Sequence, residues 1–197
     1  MSSRLKYGIT GGIGSGKSYV CSRLARHGIE VYDCDAAAKR LIRTSPEIYQ
    51  QLTRLIGPEA YEQPAATATS EPPFFRLNKA VVAQFLLQSE ANAHAIDAIV
   101  HPAVFRDFEE SGMLWMESAI LFESGINRLV DRVIVVTAPE EVRIRRVMQR
   151  DGISREKVVE WMQRQWPQSE VRARADFEII NDGIADIDRQ LQQLQLV

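Results

Sequence analysis

Short apolar runs alternate with longer amphipathic stretches along this chain, the pattern of βαβ units packed around a parallel sheet. The runs predict strands over 5–10, 30–32, 114–119, 132–136 and 177–180. Val133-Ile134-Val135-Val136 is continuously apolar, as expected of a strand covered on both faces. Helices are predicted near 17–27, 36–44, 46–56, 78–88, 89–111, 139–151, 154–166 and 184–195. The one near 139 is best marked: Pro139 suits a first helical position, Glu140 and Glu141 suit the positive end, and Gly152 stops it.

Two segments break the alternation. Between Asp35 and Leu114 the pattern gives helices and no strand, so this reads as an inserted helical region. Within it, the stretch from 62 to 75 is rich in proline and poor in apolar bulk, and is expected to be an exposed loop. The second interruption, 150–175, lies between the last two predicted strands and is dense in charge. A segment of that kind can close over a bound nucleotide as a lid.

Composition narrows the class only a little. The 197 residues carry a net charge of -2, which argues against a general nucleic-acid surface. No apolar run is long enough to cross a bilayer, and no secretory leader pattern is present, so no membrane partner is expected. The two cysteines, Cys21 and Cys34, form no paired motif. Cys21 is expected to be a small core residue. Together these point to a reduced, cytoplasmic protein.

The chemistry begins at Gly11-Gly12-Ile13-Gly14-Ser15-Gly16-Lys17-Ser18, which follows the first predicted strand directly. This is the G-x-x-x-x-G-K-[ST] phosphate loop in its strand–turn–helix setting. Its glycines let successive amides point into one concavity, where the next helix adds partial positive charge. Lys17 would reach the β- and γ-phosphates, and the Ser18 hydroxyl would ligate Mg²⁺. A guanine-specific switch is disfavoured because Asn78-Lys79-Ala80-Val81 lacks the closing Asp and falls too early. A motor is disfavoured because the strand ending Val135-Val136-Thr137-Ala138-Pro139 offers no carboxylate. A small-molecule kinase remains.

Val31-Tyr32-Asp33-Cys34-Asp35 places two acids near the end of the second predicted strand. Period-two spacing would put both on one side if the strand continued. Asp35 is a candidate to accept a proton from an attacking hydroxyl, although an acid there could equally cap the helix near Ala36. Asp33 reads as structural or metal-facing. Glu117 sits in a predicted buried strand and needs a partner or a function. Arg143, Arg146 and Arg150 share a helix face. Arg143, beside Glu140 and Glu141, reads as a solvated ion-pairing position, whereas Arg146 and Arg150 suit phosphate contacts. Arg172 and Arg174 are further candidates.

These residues resemble the dephospho-coenzyme A kinase family. The landmarks run in order: the loop from Gly8 to Ser18, Asp33-Cys34-Asp35, His101-Pro102, Leu121-Phe122-Glu123, Gln149-Arg150-Asp151, Arg172-Ala173-Arg174-Ala175-Asp176 and Ile180-Asn181-Asp182-Gly183. The resemblance covers about residues 6 to 183 and departs from the usual pattern at Tyr19, Lys79 and the run from Glu117 to Ile120. It implies an α/β P-loop kinase fold: a five-stranded parallel sheet flanked by helices, with a helical substrate-binding insertion and a lid. The implied parts are a nucleotide core (1–35, 112–149, 176–197), an acceptor domain (36–111) and a lid (150–175). The implied reaction passes the ATP γ-phosphate to the ribose 3′-hydroxyl of dephospho-coenzyme A, with Mg²⁺, in the last step of coenzyme A synthesis. Asp35, Lys17 and Arg146 would be catalytic. ATP would meet Gly12, Ile13, Gly14, Ser15, Gly16, Lys17, Ser18 and Tyr19, with Arg150, Asn181 and Gly183. The acceptor would meet Asp35, His101, Leu121, Phe122 and Glu123. No nucleic-acid or membrane partner is implied, and the chain is expected to be a monomer or weak homo-oligomer.

Overall fold

Strands form on all five apolar runs: those predicted over 5–10, 30–32 and 114–119 come out shorter, that over 177–180 as predicted, and that over 132–136 one residue longer. The computed structural model describes residues 4–62 and 74–197. The expected proline-rich loop therefore falls almost wholly outside the described residues. The chain forms two compact units, Met1–Asp33 with Gly112–Val197, and Cys34–Ser111.

The first unit holds five strands: β1 (Tyr7–Thr10), β2 (Tyr32–Asp33), β3 (Trp115–Glu117), β4 (Arg132–Thr137) and β5 (Phe177–Ile180). They pair in the order β2-β3-β1-β4-β5, and every pairing is parallel. β1 is central, so the loop that leaves its C-terminal end sits over the middle of the sheet. Ligands bind outside that end in open α/β sheets. The β4 residues Val133 to Thr137 are all buried, which explains their unbroken apolar run.

Helix α1 (Lys17–Arg26) and helix α9 (Ile187–Gln193) cover one face. Val20, Leu24, Ile187 and Leu191 pack there against Ile9, Ile134, Val136 and Ile179. Helix α6 (Glu140–Asp151) ends at Gly152, whose left-handed φ of 66° only glycine adopts cheaply. Helix α7 (Arg155–Gln163) then starts from a Ser154 cap. Ile144 and Val147 of α6 bury themselves against Val158 of α7. A further helix, α8 (Gln168–Arg174), was not expected from the charge-dense segment. Its buried contact is Val171, while its arginines pair outward: Arg172 with Glu178, and Arg174 with Glu170.

The second unit consists of α2 (Cys34–Thr44), α3 (Pro46–Ile56), α4 (Lys79–Gln88) and α5 (Glu90–Ser111), with a short 3₁₀ turn at Pro58–Ala60. Ser45 and Asn78 cap α3 and α4 by accepting from Ile48 and Val81. Ile48, Leu52, Ala60, Tyr61 and Ala103 form the unit's own core. The Tyr61 hydroxyl donates to the Ile42 carbonyl at 3.0 Å, and burial pushes its pKa up to about 12.

One expectation about placement is corrected here. β2 ends at Asp33, and α2 begins at Cys34, so Asp35 lies in a first helical turn rather than on a continuing strand. A helix turns 100° per residue, so the period-two reasoning does not apply to Asp33 and Asp35. An acid in a first turn also suits the positive helix end.

Candidate active site

The sheet ends bring four charged or polar groups together around the glycine loop. Lys17 opens α1, and its Nζ donates to the Gly11 carbonyl at 2.8 Å. The same ammonium lies 3.9 Å from Glu117, and both side chains are nearly nine-tenths buried. That answers the question Glu117 raised: the acid at the end of β3 holds the loop lysine. Asp33 is the register partner of Glu117 on the neighbouring strand. The Cys21 thiol, one helical turn past Lys17, reports this clustering. Its pKa is raised from 9.0 to about 12, first by burial and then by Glu117, with Lys17 opposing and Asp33 adding. Cys21 is half-buried against the core rather than fully inside it.

Gly16 caps α1 in a left-handed conformation, φ 89°, and supplies no side-chain acceptor. The start of α1 therefore receives no side-chain cap, and a helix N-terminus of that kind suits an anion. Gly14 also has a positive φ, 77°. The loop closes on itself through Ser15 N–H to the Gly12 carbonyl at 3.0 Å. Ser18 and Tyr19 are exposed on the first turn.

Neighbouring elements grip the loop from outside. Asn181, just past β5 and 6% exposed, donates to the Ser15 carbonyl at 2.9 Å. Arg146 donates to the Asn181 carbonyl at 2.9 Å and, more weakly, to the carbonyls of Gly14 and Ser15 at 3.4 Å. Gly16, Tyr19, Arg146, Asn181 and Gly183 thus line one side of a cavity of about 620 Å³, closed on the other side by Arg23 and the start of α9. Arg23 and Asp188 form an ion pair there.

Two residues that sequence reasoning missed hold Ile13. Arg143 is 7% exposed, and its Nε donates to the Ile13 carbonyl at 2.9 Å. The expectation that Arg143 is a solvated ion-pairing residue is therefore corrected. The glycines leave a cleft that its guanidinium fills: a Cβ on Gly12 would stand 2.4 Å from Arg143 Nη2. Gln165, between α7 and α8, accepts the Ile13 amide at 2.8 Å and donates to the Ala119 carbonyl at 3.3 Å.

The remaining candidates are more dispersed. Arg150 is exposed and makes a forked pair with Asp151, both bonds 2.7 Å, so it is not among the groups gathered at the loop. Leu121 is fully buried, and a Cβ on Gly8 would stand 2.8 Å from its methyl, so its side chain packs and offers no surface to a ligand. Phe122 stacks on Trp166 with centroids 6.2 Å apart, and Glu123 accepts the Trp166 amide at 3.2 Å. In the helical unit, Asp35 is exposed. His101 lies 3.6 Å from Asp97 and is stacked on Phe105, a satisfied position within α5.

A central parallel strand feeding a glycine loop, with Lys17 and a helix N-terminus beneath arginines from α6, defines a P-loop kinase. A family model described as dephospho-CoA kinase matches residues 5–186, and the chain belongs to that family, whose members catalyse the last step of coenzyme A synthesis. A dephospho-CoA kinase from Chlorobaculum tepidum is 35% identical over 200 residues, covering 96% of this chain and 93% of that protein. One from Porphyromonas gingivalis is 41% identical over 181 residues, covering 88% and 84%. The crystal structure of TT1252 from Thermus thermophilus superposes with a TM-score of 0.79 at 33% identity, covering 98% and 96%.

Proposed function

We propose that the chain transfers the γ-phosphoryl group of ATP to the ribose 3′-hydroxyl of dephospho-coenzyme A, giving coenzyme A and ADP. The observation that carries this reading is Lys17, whose ammonium is held between the Gly11 carbonyl and Glu117 at the mouth of the amide-lined loop. A fixed cation and a helix N-terminus without a side-chain cap are what a triphosphate tail needs. In the reaction, a bond forms between the 3′-oxygen and the γ-phosphorus while the bridge to the β-phosphate breaks. Lys17 and the loop from Gly12 to Tyr19 surround the leaving oxygens and hold the charge that shifts to them. Asp35 accepts the hydroxyl proton. Arg146 leaves its carbonyl partners to meet phosphate oxygens, and Arg150 follows from the next turn. Asn181 and Gly183 border the nucleoside.

The donors fit Mg²⁺. Ser18 and Asp33 offer hard oxygens, and among the described residues no group of three or more His, Cys, Asp or Glu forms a standing cage. Such a set suits a cation that arrives with the nucleotide and keeps water and phosphate ligands. When bound, Mg²⁺ would neutralise developing phosphate charge. The helical unit is assigned to the acceptor, with His101 as a contact, and Phe122 and Glu123 as contacts from the loop after β3. The segment 150–175 is assigned as the lid. We place the enzyme in the cytoplasm, where its two free thiols, Cys21 and Cys34, would stay reduced, and take it as a monomer or weak homo-oligomer.

An ADP-release assay with dephospho-coenzyme A, AMP and adenosine as separate acceptors tests the reading. Stimulation by dephospho-coenzyme A alone is expected. Stimulation by AMP alone would overturn the acceptor assignment.

A further inference from the structure

Helix α6 sends two arginines to the phosphate loop, and the reaction described above uses only Arg146. Arg143 is more deeply buried than any other charged residue among those described. No carboxylate stands within ion-pair distance of it there, and the nearest acid it senses, Glu140, is exposed. Burial lowers its pKa, and Glu140 raises it only in part. Its contacts are instead with the loop. Nε–H donates to the Ile13 carbonyl, Nη2 occupies the space a Gly12 side chain would need, and its own carbonyl stands 2.5 Å from a would-be Cβ on Gly14. Gly12 therefore makes room for this side chain, and Gly14 for the backbone that carries it.

A buried cation without an anionic partner is expensive. A polyphosphate bound at the loop would bring the missing negative charge close to a guanidinium that already touches Gly12 and Ile13. Charge so placed is little screened by salt and needs no rearrangement when phosphate arrives. Resting on the kinase reading above, we propose that Arg143 is a positioning residue of the phosphate loop. Its guanidinium fixes the Ile13 carbonyl and lends positive charge to the nucleotide's phosphates from behind the loop, without touching them. Lys17 and Arg143 are then two largely buried cations of one loop, the first at its mouth beside Glu117 and the second without a carboxylate partner.

The two parts of this role separate by substitution. Arg143→Gln keeps a donor at the same number of bonds from the backbone, able to reach Ile13, and removes the charge. Arg143→Lys keeps the charge and loses the planar fork. Calorimetric titration of the parent and both variants with ATP, ADP, AMP and adenosine reads the effect of phosphate count. The Gln variant is expected to lose about tenfold in ATP affinity, less for ADP and AMP, and nothing for adenosine. The Lys variant is expected to stay within about threefold of the parent across the series. Thermal melting should show the Gln variant at or above the parent, because an uncompensated charge has gone. A Gln variant with the parent's dependence on phosphate count overturns the inference, as does an equal loss for all four ligands. A Lys variant that loses as much ATP affinity as Gln overturns it too. A parent that binds ATP no better than adenosine would instead overturn the kinase reading itself.

Discussion

Asn181 and Ser15 are joined by a buried hydrogen bond of 2.9 Å that ties the end of β5 to the phosphate loop across 166 positions of sequence. The same amide accepts from Arg146 through its Oδ1 at 3.3 Å, so one side chain aligns the loop and the arginine beside it. Asn181→Ala removes both contacts and leaves the Ser15 carbonyl with only the longer bond from Arg146 at 3.4 Å. A stability loss of about 1–3 kcal/mol is expected, together with roughly tenfold weaker ATP binding. Chemical denaturation and calorimetry measure the two; an unchanged ATP affinity would show that the bond is not needed for loop geometry.

Lys17 and Glu117 should behave as a coupled pair. Lys17→Ala is expected to lower turnover by about 10² or more. Glu117→Gln releases the ammonium and should cost much less on its own. In the double variant the effect of Glu117→Gln should nearly vanish, since there is no ammonium left to hold. Strict additivity in a steady-state cycle would mean that Glu117 acts elsewhere.

Asp35→Asn keeps the size of the side chain and removes its basicity. Turnover is expected to fall by about 10² or more with little change in ATP affinity. A variant that turns over like the parent would take Asp35 out of the mechanism.

Cys21 should be inert in the folded protein. Its pKa of about 12 against an ordinary 9.0 leaves roughly 10³-fold less thiolate at neutral pH. Alkylation by iodoacetamide, followed by mass spectrometry, should be slow in the native state and normal in denaturant. Folding favours the protonated thiol, so this group's contribution is intact below about pH 9 and is lost as the pH climbs toward 12. Native-state labelling at the rate of a free thiol would contradict the buried, Glu117-facing environment.

The loop and the sheet were legible because their signals are local. Glycine spacing after an apolar run names the phosphate loop, and unbroken apolar stretches name buried parallel strands such as β4. Asp35 shows where locality fails: the residues from Val31 to Asp35 read as a strand end, yet the helix begins at Cys34, two residues before its predicted start, because Cys34 and Ala37 find a buried face. Arg143 shows the opposite failure. Its helical spacing and its glutamate neighbours describe a solvated face, and nothing nearby in sequence says that glycines 130 positions away leave a slot for it. Gln165 was silent for the same reason, since its partners are the backbone of Ile13 and Ala119, and backbone atoms leave no residue-type signature. Leu121 belonged to a recognisable landmark, but its burial against Gly8 depends on the register of β1, which spacing alone does not fix.

Ile13 is seized at three points: its side chain sits in the apolar seam of α6 and α7, its oxygen is taken by Arg143 and its nitrogen by Gln165. The eight-residue motif is therefore not a portable cassette. Grafted onto a foreign scaffold without those two distant side chains, it would keep its spelling and lose its curvature, and any shift of α6 in this enzyme would be felt first by the cradle rather than by the nucleotide.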